Sequence, residues 1–248
     1  MRSFAKINIF LKITGFRGNY HELSSRFIIC DWLYDEVELV KRISDGLIID
    51  NPFSDNIIFK AYDALVALGF SKQLEEFFKF HQVSLIKNIP VGGGLGGGSS
   101  NAATFLHLVN DTLNLNISQK KLMQIAHNIG ADVAFFVSKF KAANVSGIGE
   151  IVEEFDDDIP NLDIITSPIF CSTPKVFNQY RANFNGFDES LARDLKKLKS
   201  SEILVNFTNI ELNDLLKPCQ QIYHKLDITN DEFLSWSGST KFKTKNLT

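Results

Sequence analysis

The 248-residue chain is 44% hydrophobic and 22% charged, a composition that builds a buried core and excludes disorder. A formal net charge of −3 gives no electrostatic case for nucleic acid or an anionic membrane. No apolar run reaches the length of about eighteen residues that a membrane span requires. Cys30, Cys171 and Cys219 are widely spaced and form neither a CxxC pair nor a disulfide framework, and the start "MRSFAKINIFLKITG" carries charges throughout. A soluble, cytoplasmic protein of one large domain or two closely joined ones is expected.

In chain order, "KINIFLKI" (6–13) alternates polar and apolar residues as a half-buried strand does, and "DEVELVKR" (35–42) and "GLIID" (46–50) are similar. "SDNIIFKAYDALVALG" sets Ile57, Ile58, Ala61, Ala64, Leu65 and Leu68 on one helical face, with Asp55 as N-cap and Gly69 as stop. "HQVSLIKNIP" (81–90) is a strand running into a glycine-rich segment. Two helices follow, "SSNAATFLHLVNDTLN" and "SQKKLMQIAHNIG", the second closed by Gly130. "AANVSGIGEIVEEF" (142–155) is predicted as strand, and the acidic, proline-bearing "FDDDIPN" (155–161) is the best candidate boundary. Beyond it come the strand "LDIITS" and helices near 188–198 and 210–226. This mixed order predicts an α+β fold.

Residues 92–98 hold six of the fifteen glycines. A linker would be flanked by polar, aperiodic sequence, whereas this segment joins an apolar strand to a helix opened by Ser99 and Ser100. Strand, glycines and helix N-terminus together offer backbone N–H groups and a positive dipole end to an anion, so a phosphate loop is predicted. The common owners of such loops fail. "NLNISQ" lacks the acid that a dinucleotide fold wants about twenty residues on. The Walker lysine is missing after Gly98, and no HRD or DFG segment of a protein kinase occurs.

"PVGGGLGGGSSNAA" resembles the second motif of the GHMP small-molecule kinases. "FAKINIFLKITG", "NYHEL", "GADVAFF" and "GIGE", in family order, narrow the resemblance to the branch acting on a 4-diphosphocytidyl sugar alcohol. It implies a two-lobed GHMP-kinase fold, residues 1–155 forming an ATP-binding lobe and 156–248 a C-terminal lobe, with the active site in the cleft between lobes. It further implies transfer of the ATP γ-phosphoryl, with Mg²⁺, to the 2-hydroxyl of a cytidyl-diphospho sugar alcohol in non-mevalonate isoprenoid synthesis. A homoserine- or mevalonate-type kinase and a non-catalytic nucleotide-binding module are the alternatives. Monomer and homodimer both stay open, and the Mg²⁺ ligands are not named.

The resemblance assigns residues as follows. Pro90, Val91, Gly92, Gly93, Gly94, Leu95, Gly96, Gly97, Gly98, Ser99 and Ser100 cradle the ATP phosphates. Asp132, after a Gly-Ala break, is the catalytic base, where its segment alone would favour a plain N-cap. Lys6, in a strand dominated by apolar residues, faces Asp132 and stabilises the developing alkoxide, where the strand alone would turn a lysine outward. Tyr20 and Phe177 sandwich cytosine and His21 reads its polar edge, although with 22 phenylalanines in the chain Phe177 alone would be assigned to the core. Asn8 and Thr173 touch the methylerythritol and nucleoside parts.

Two departures from the family pattern stand out. Phe4 replaces the usual proline before "AK". In "LSWSGSTKFKTKNLT", Trp236 stands where the first glycine of a Gly-Ser-Gly segment is expected, leaving only Gly238. A tryptophan there is expected either to strain the backbone or to swing aside as an apolar plug, and restoring glycine to keep or raise turnover and melting temperature.

Overall fold

The computed structural model describes residues 1–42, 49–50 and 56–245. Strand β1 (Arg2–Arg17) turns through Gly18 and Asn19 into β2 (Tyr20–Lys41), with Gly18 at φ 61° as a two-residue hairpin turn demands. The strands predicted at 6–13 and 35–42 are parts of this hairpin. The alternation in "KINIFLKI" does not mark a solvent face, because Lys6, Asn8 and Lys12 are as buried as the apolar residues between them. Each of these buried polar groups has a polar partner, as burial requires.

The chain divides into two compact units, both discontinuous in sequence. One comprises Met1–Ala5, Cys30–Ile89 and Gly96–Lys139; the other comprises Lys6–Ile29, Pro90–Leu95 and Phe140–Thr248.

In the first unit, β4 (His81–Ile86) lies antiparallel to Glu36–Lys41 of β2, and β3 (Ile49–Asp50) runs parallel to β4. Asp55, the expected N-cap, and residues 46–48 of the expected third strand lie outside the described residues. Helix α1 (Ile58–Leu65) buries Ile58, Ala61 and Leu65, the centre of the predicted face. Gly69 at φ 95° breaks the helix as expected, but the chain continues through a π-helical turn (Val66–Phe70) into α2 (Ser71–Phe78), which periodicity does not separate. Helices α3 (Gly97–Thr112), α4 (Gln119–Ile129) and α5 (Val133–Ser138) pack on one another. Ser118 caps α4 by accepting from the Lys121 amide at 3.3 Å, and the Gly130 amide closes it on the Ala126 carbonyl at 3.2 Å.

In the second unit, Leu23–Ile28 of β2 pairs antiparallel with β5 (Ala142–Gly147), which returns as β6 (Ile151–Glu154). The single strand predicted over 142–155 is therefore a hairpin, its turn made possible by Gly147 at φ 68° and Gly149 at φ 115°. A second sheet has the order β7 (Leu162–Ile165), β9 (Lys241–Thr244), β8 (Phe233–Leu234). Helices α6 (Thr173–Ala182), α7 (Glu189–Leu195), α8 (Ser200–Asn206), α9 (Asn209–Leu212) and α10 (Leu216–Ile222) complete it. The helix predicted over 210–226 is thus two, interrupted where Asn213 turns extended. The Asn213 carboxamide donates to the Leu234 and Trp236 carbonyls, and Asp214 pairs with Lys12 at 2.5 Å.

The acidic segment 155–161 is anchored rather than loose. Asp157 pairs with the fully buried Arg26 at 2.9 Å and accepts from the Ser200 amide at 2.8 Å, while the Arg26 guanidinium lies 3.5 Å from the Phe155 ring centroid. The three cysteines are buried free thiols. No helix among the described residues is long and apolar enough to cross a membrane.

Candidate active site

The glycine segment leaves β4 and ends at α3, whose N-cap is Gly96 at φ 69°. A β-carbon is disfavoured in this left-handed region, which accounts for glycine at the point where the chain turns into the helix. No acidic residue occupies the first turn of α3, so its amide dipole is not neutralised from within. Gly92 and Gly94 are left-handed as well, at φ 76° and 80°, and close packing adds to the need for glycine at Gly94 and Gly238. A β-carbon on Gly94 would come within 2.3 Å of the Ser235 carbonyl, and one on Gly238 within 2.1 Å of the Gly93 backbone. The Gly93 carbonyl accepts from the Thr240 amide at 3.1 Å, and the Gly94 carbonyl from Ser235 Oγ at 3.2 Å. Gly238, the one glycine left in the C-terminal motif, is thus the one that this backbone contact requires.

In the first unit a hydrogen-bonded cluster fixes the start of α3. Buried Asp35 accepts from the Asn88 and Ile89 amides at 2.7 and 2.8 Å, from Asn101 Nδ2 at 2.9 Å, and from the Lys87 ammonium. Lys87 also donates to Asn101 Oδ1 at 3.0 Å, and Ser3 donates to Ser100 Oγ at 2.8 Å. One carboxylate thereby ties the entry to the glycine segment to the first turn of the helix that leaves it. Sequence reasoning missed Ser3, Asp35, Lys87 and Asn101; the signal was an aspartate inside the apolar alternation of "LYDEVEL".

Asp132 occupies the N-cap position of α5, yet its side chain caps no amide there. A purely structural N-cap would make that bond. Ser99 Oγ lies 4.0 Å from where a β-carbon on Gly130 would stand, so the first turn of α3 and the segment leading to Asp132 are neighbours.

In the second unit, Lys6 is fully buried and its ammonium donates to Asn8 Oδ1; Asn8 Nδ2 donates to Ser25 Oγ at 2.9 Å. Lys6 and Asn8 stand two apart on one strand, the spacing that puts side chains on the same face. The Lys6 ammonium also lies 4.7 Å from the Phe27 ring centroid and 4.6 Å from that of Trp236. Its backbone amide donates to the Leu95 carbonyl at 3.0 Å, which joins this strand to the glycine segment.

The aromatic group is assembled around His21, which is buried 4.9 Å from Phe177 and 5.2 Å from Phe16. Its buried Nε2 makes no hydrogen bond among the described residues. Burial first, and then the positive charge of Arg181, hold the imidazole below its ordinary pKa of 6.5, so it is neutral at neutral pH. Tyr20 is 65% exposed, and the rings against Phe177 are His21 and Trp236. Thr173 opens α6, with Oγ1 at 2.9 Å from Ser237 Oγ.

Trp236 has φ 56°, left-handed for a non-glycine residue, and its half-buried indole packs beside Phe27, Phe177 and Lys6. Strain and apolar packing, offered as alternatives by the sequence, occur together.

The sequence and the architecture have relatives. Residues 56–139 match the model of the GHMP kinases N terminal domain. The chain is 46% identical over 253 residues to a 4-diphosphocytidyl-2-C-methyl-D-erythritol kinase of Campylobacter jejuni, covering 98% of this chain and 99% of that protein. Identity is 43% to the kinase of the same name from Sulfurimonas denitrificans, over 98% of this chain and 96% of the relative. A crystal structure of 4-(cytidine 5'-diphospho)-2C-methyl-D-erythritol kinase superposes with a TM-score of 0.71 at 25% identity, over 99% of this chain and 90% of the other. With near-complete coverage, a shared GHMP-kinase fold and these identities, the chain belongs to the 4-diphosphocytidyl-2-C-methyl-D-erythritol kinase family.

Proposed function

We propose that the protein transfers the γ-phosphoryl of ATP to the 2-hydroxyl of 4-diphosphocytidyl-2-C-methyl-D-erythritol, giving the 2-phosphate and ADP, in the non-mevalonate route to isoprenoids. The observation that carries this is the full-length identity to kinases of that name. Phosphoryl transfer asks a protein chiefly for positioning and charge stabilisation. In this reading the ATP phosphates lie on residues 90–100 against the α3 amides. Asp132 accepts the proton of the attacking hydroxyl, and a carboxylate not engaged in capping α5 suits that task. Lys6 stabilises the alkoxide as it develops, and Asn8 and Thr173 contact the sugar alcohol and nucleoside. Residues 1–155 serve as the ATP lobe and 156–248 as the C-terminal lobe; all of 156–248 belongs to the second compact unit.

Mg²⁺ enters this reading as the partner of the ATP phosphates. Among the described residues no three His, Cys, Asp or Glu side chains gather into a metal cage, and Mg²⁺ ordinarily takes most of its ligands from phosphate and water. Ser99, in the first turn of α3, would offer its hydroxyl oxygen beside it. Bound there, the ion would neutralise charge on the transferring group. Three buried free thiols suit the reducing cytoplasm.

Cytosine is read by Tyr20, His21 and Phe177. Tyr20→Ala is expected to raise the Michaelis constant for the cytidyl substrate about five- to 150-fold, the worth of one lost stacking partner, and to leave that for ATP unchanged. Steady-state kinetics with each substrate varied in turn checks this; an equal effect on both would assign Tyr20 to packing. Because Arg181 helps to keep His21 neutral, Arg181→Gln should raise the His21 pKa. The imidazole then protonates at higher pH, and the acid limb of kcat/KM for the cytidyl substrate moves upward. An unmoved limb would remove His21 from base recognition.

The function is tested by ADP release in a coupled assay offering the cytidyl alcohol, homoserine and mevalonate in parallel. Turnover with the cytidyl alcohol alone is expected. Faster turnover with either of the others would assign the protein to another branch of the superfamily.

A further inference from the structure

We propose that Trp236 is a positioning residue, holding the buried Lys6 ammonium in register for phosphoryl transfer; the inference rests on the reading of Lys6 as the cation that stabilises the alkoxide. The indole centroid lies 4.6 Å from Lys6 Nζ, and the Phe27 centroid 4.7 Å. The two rings meet edge to face at 89°, so the ammonium is flanked by two aromatic systems while Asn8 Oδ1 accepts from it. An aromatic face attracts a cation without neutralising it, so the two rings fix the place of the ammonium and leave its charge for the alkoxide.

The surroundings hold Trp236 in its disfavoured conformation. Its φ is 56°, its carbonyl accepts from Asn213 Nδ2 at 2.9 Å, and Gly238, two residues on, is pressed against the Gly93–Gly94 backbone. A left-handed tryptophan persists where neighbouring structure over-determines it. The same indole lies 5.9 Å from Phe177, at the proposed cytosine site. It therefore touches both the reaction cation and the base-binding ring.

Trp236→Phe and Trp236→Leu, compared with Lys6→Met, provide the test. All side chains at 236 share the backbone conformation and fill apolar space, but leucine has no π-face. Trp236→Leu should lower kcat about three- to thirtyfold, the range of a desolvated cation–π contact, with the Michaelis constant for ATP held within about twofold. Trp236→Phe should restore most of that loss at a similar melting temperature. Equal kcat in the leucine and phenylalanine variants would overturn the proposal. Should Lys6→Met abolish turnover while Trp236→Leu retains it, this inference falls and the assignment of Lys6 stands. Full turnover in Lys6→Met overturns both. A spectroscopic arm serves if the leucine variant does not fold. In a Trp32→Phe background, where Trp236 is the sole tryptophan, adding Lys6→Met should shift its emission, because the adjacent cation is gone. Unchanged emission overturns the contact on which the proposal depends.

Discussion

Asp132→Asn is expected to lower kcat by about 10²–10⁴, the usual loss on removing a general base, with ATP affinity little altered. The substitution keeps the shape of the side chain and removes its capacity to take a proton. It also separates two roles that the segment "GADVAFF" leaves open. Asparagine is as good an N-cap as aspartate, so a capping residue would tolerate the change in both stability and turnover. The Asp132 side chain makes no capping bond to α5, so the substitution removes no capping bond. Rapid-quench measurement of the chemical step, beside calorimetric ATP binding, checks the prediction. Turnover within about threefold of the parent would remove Asp132 from proton transfer.

Gly96→Val is expected to abolish measurable nucleotide binding. Gly96 is the N-cap of α3 at φ 69°, and a β-branched residue resists that conformation at a cost of about 1–3 kcal/mol. Relief by rotating the peptide would turn the amides of the first turn away from the phosphates. The Asp35 cluster holds both sides of the loop, so the helix start has little freedom to adapt. Calorimetry on a folded variant decides the matter, with circular dichroism to establish the fold. Unaltered ATP affinity would contradict the assignment of residues 90–100 to the phosphates.

The elements that sequence made legible are those whose local signals agree with their packing. α4 was readable from Ser118 to Gly130 because cap, periodicity and stop coincide. The glycine segment was legible as a place of close backbone approach because a fold tolerates the entropy of so many glycines chiefly where backbone must approach a ligand or another backbone. Gly94 and Gly238 prove to answer to the second of these needs. The hairpin at 142–155 did carry a turn signal, Gly147 and Gly149, which the prediction of one strand passed over. The helix predicted at 210–226 broke because Asn213 has partners at Leu234 and Trp236, far along the chain. Long-range partners of this kind leave no periodic trace. Asp35 and Arg26 were missed for the same reason: a single charge in a strand reads as solvent-facing until its buried partner is known. At Trp236 the sequence argued for restoring glycine, and the backbone there is indeed left-handed, at φ 56°. The cation beside the indole, which no local pattern could reveal, gives the proposed positioning role the opposite expectation for turnover.

The central claim is that a phosphoryl group passes from ATP to the 2-hydroxyl of the cytidyl sugar alcohol. Phosphorus-31 NMR of the complete reaction tests it most directly, because the γ-phosphate of ATP, the cytidyl diphosphate and a new phosphomonoester are resolved in one spectrum. The predicted result is loss of the γ resonance with equal gain of ADP and of one phosphomonoester, the cytidyl diphosphate remaining intact. That ester should show no three-bond proton coupling, because the carbon bearing the 2-hydroxyl carries the methyl branch and no hydrogen. ADP and inorganic phosphate without a new ester, or cleavage of the cytidyl diphosphate, would contradict the claim.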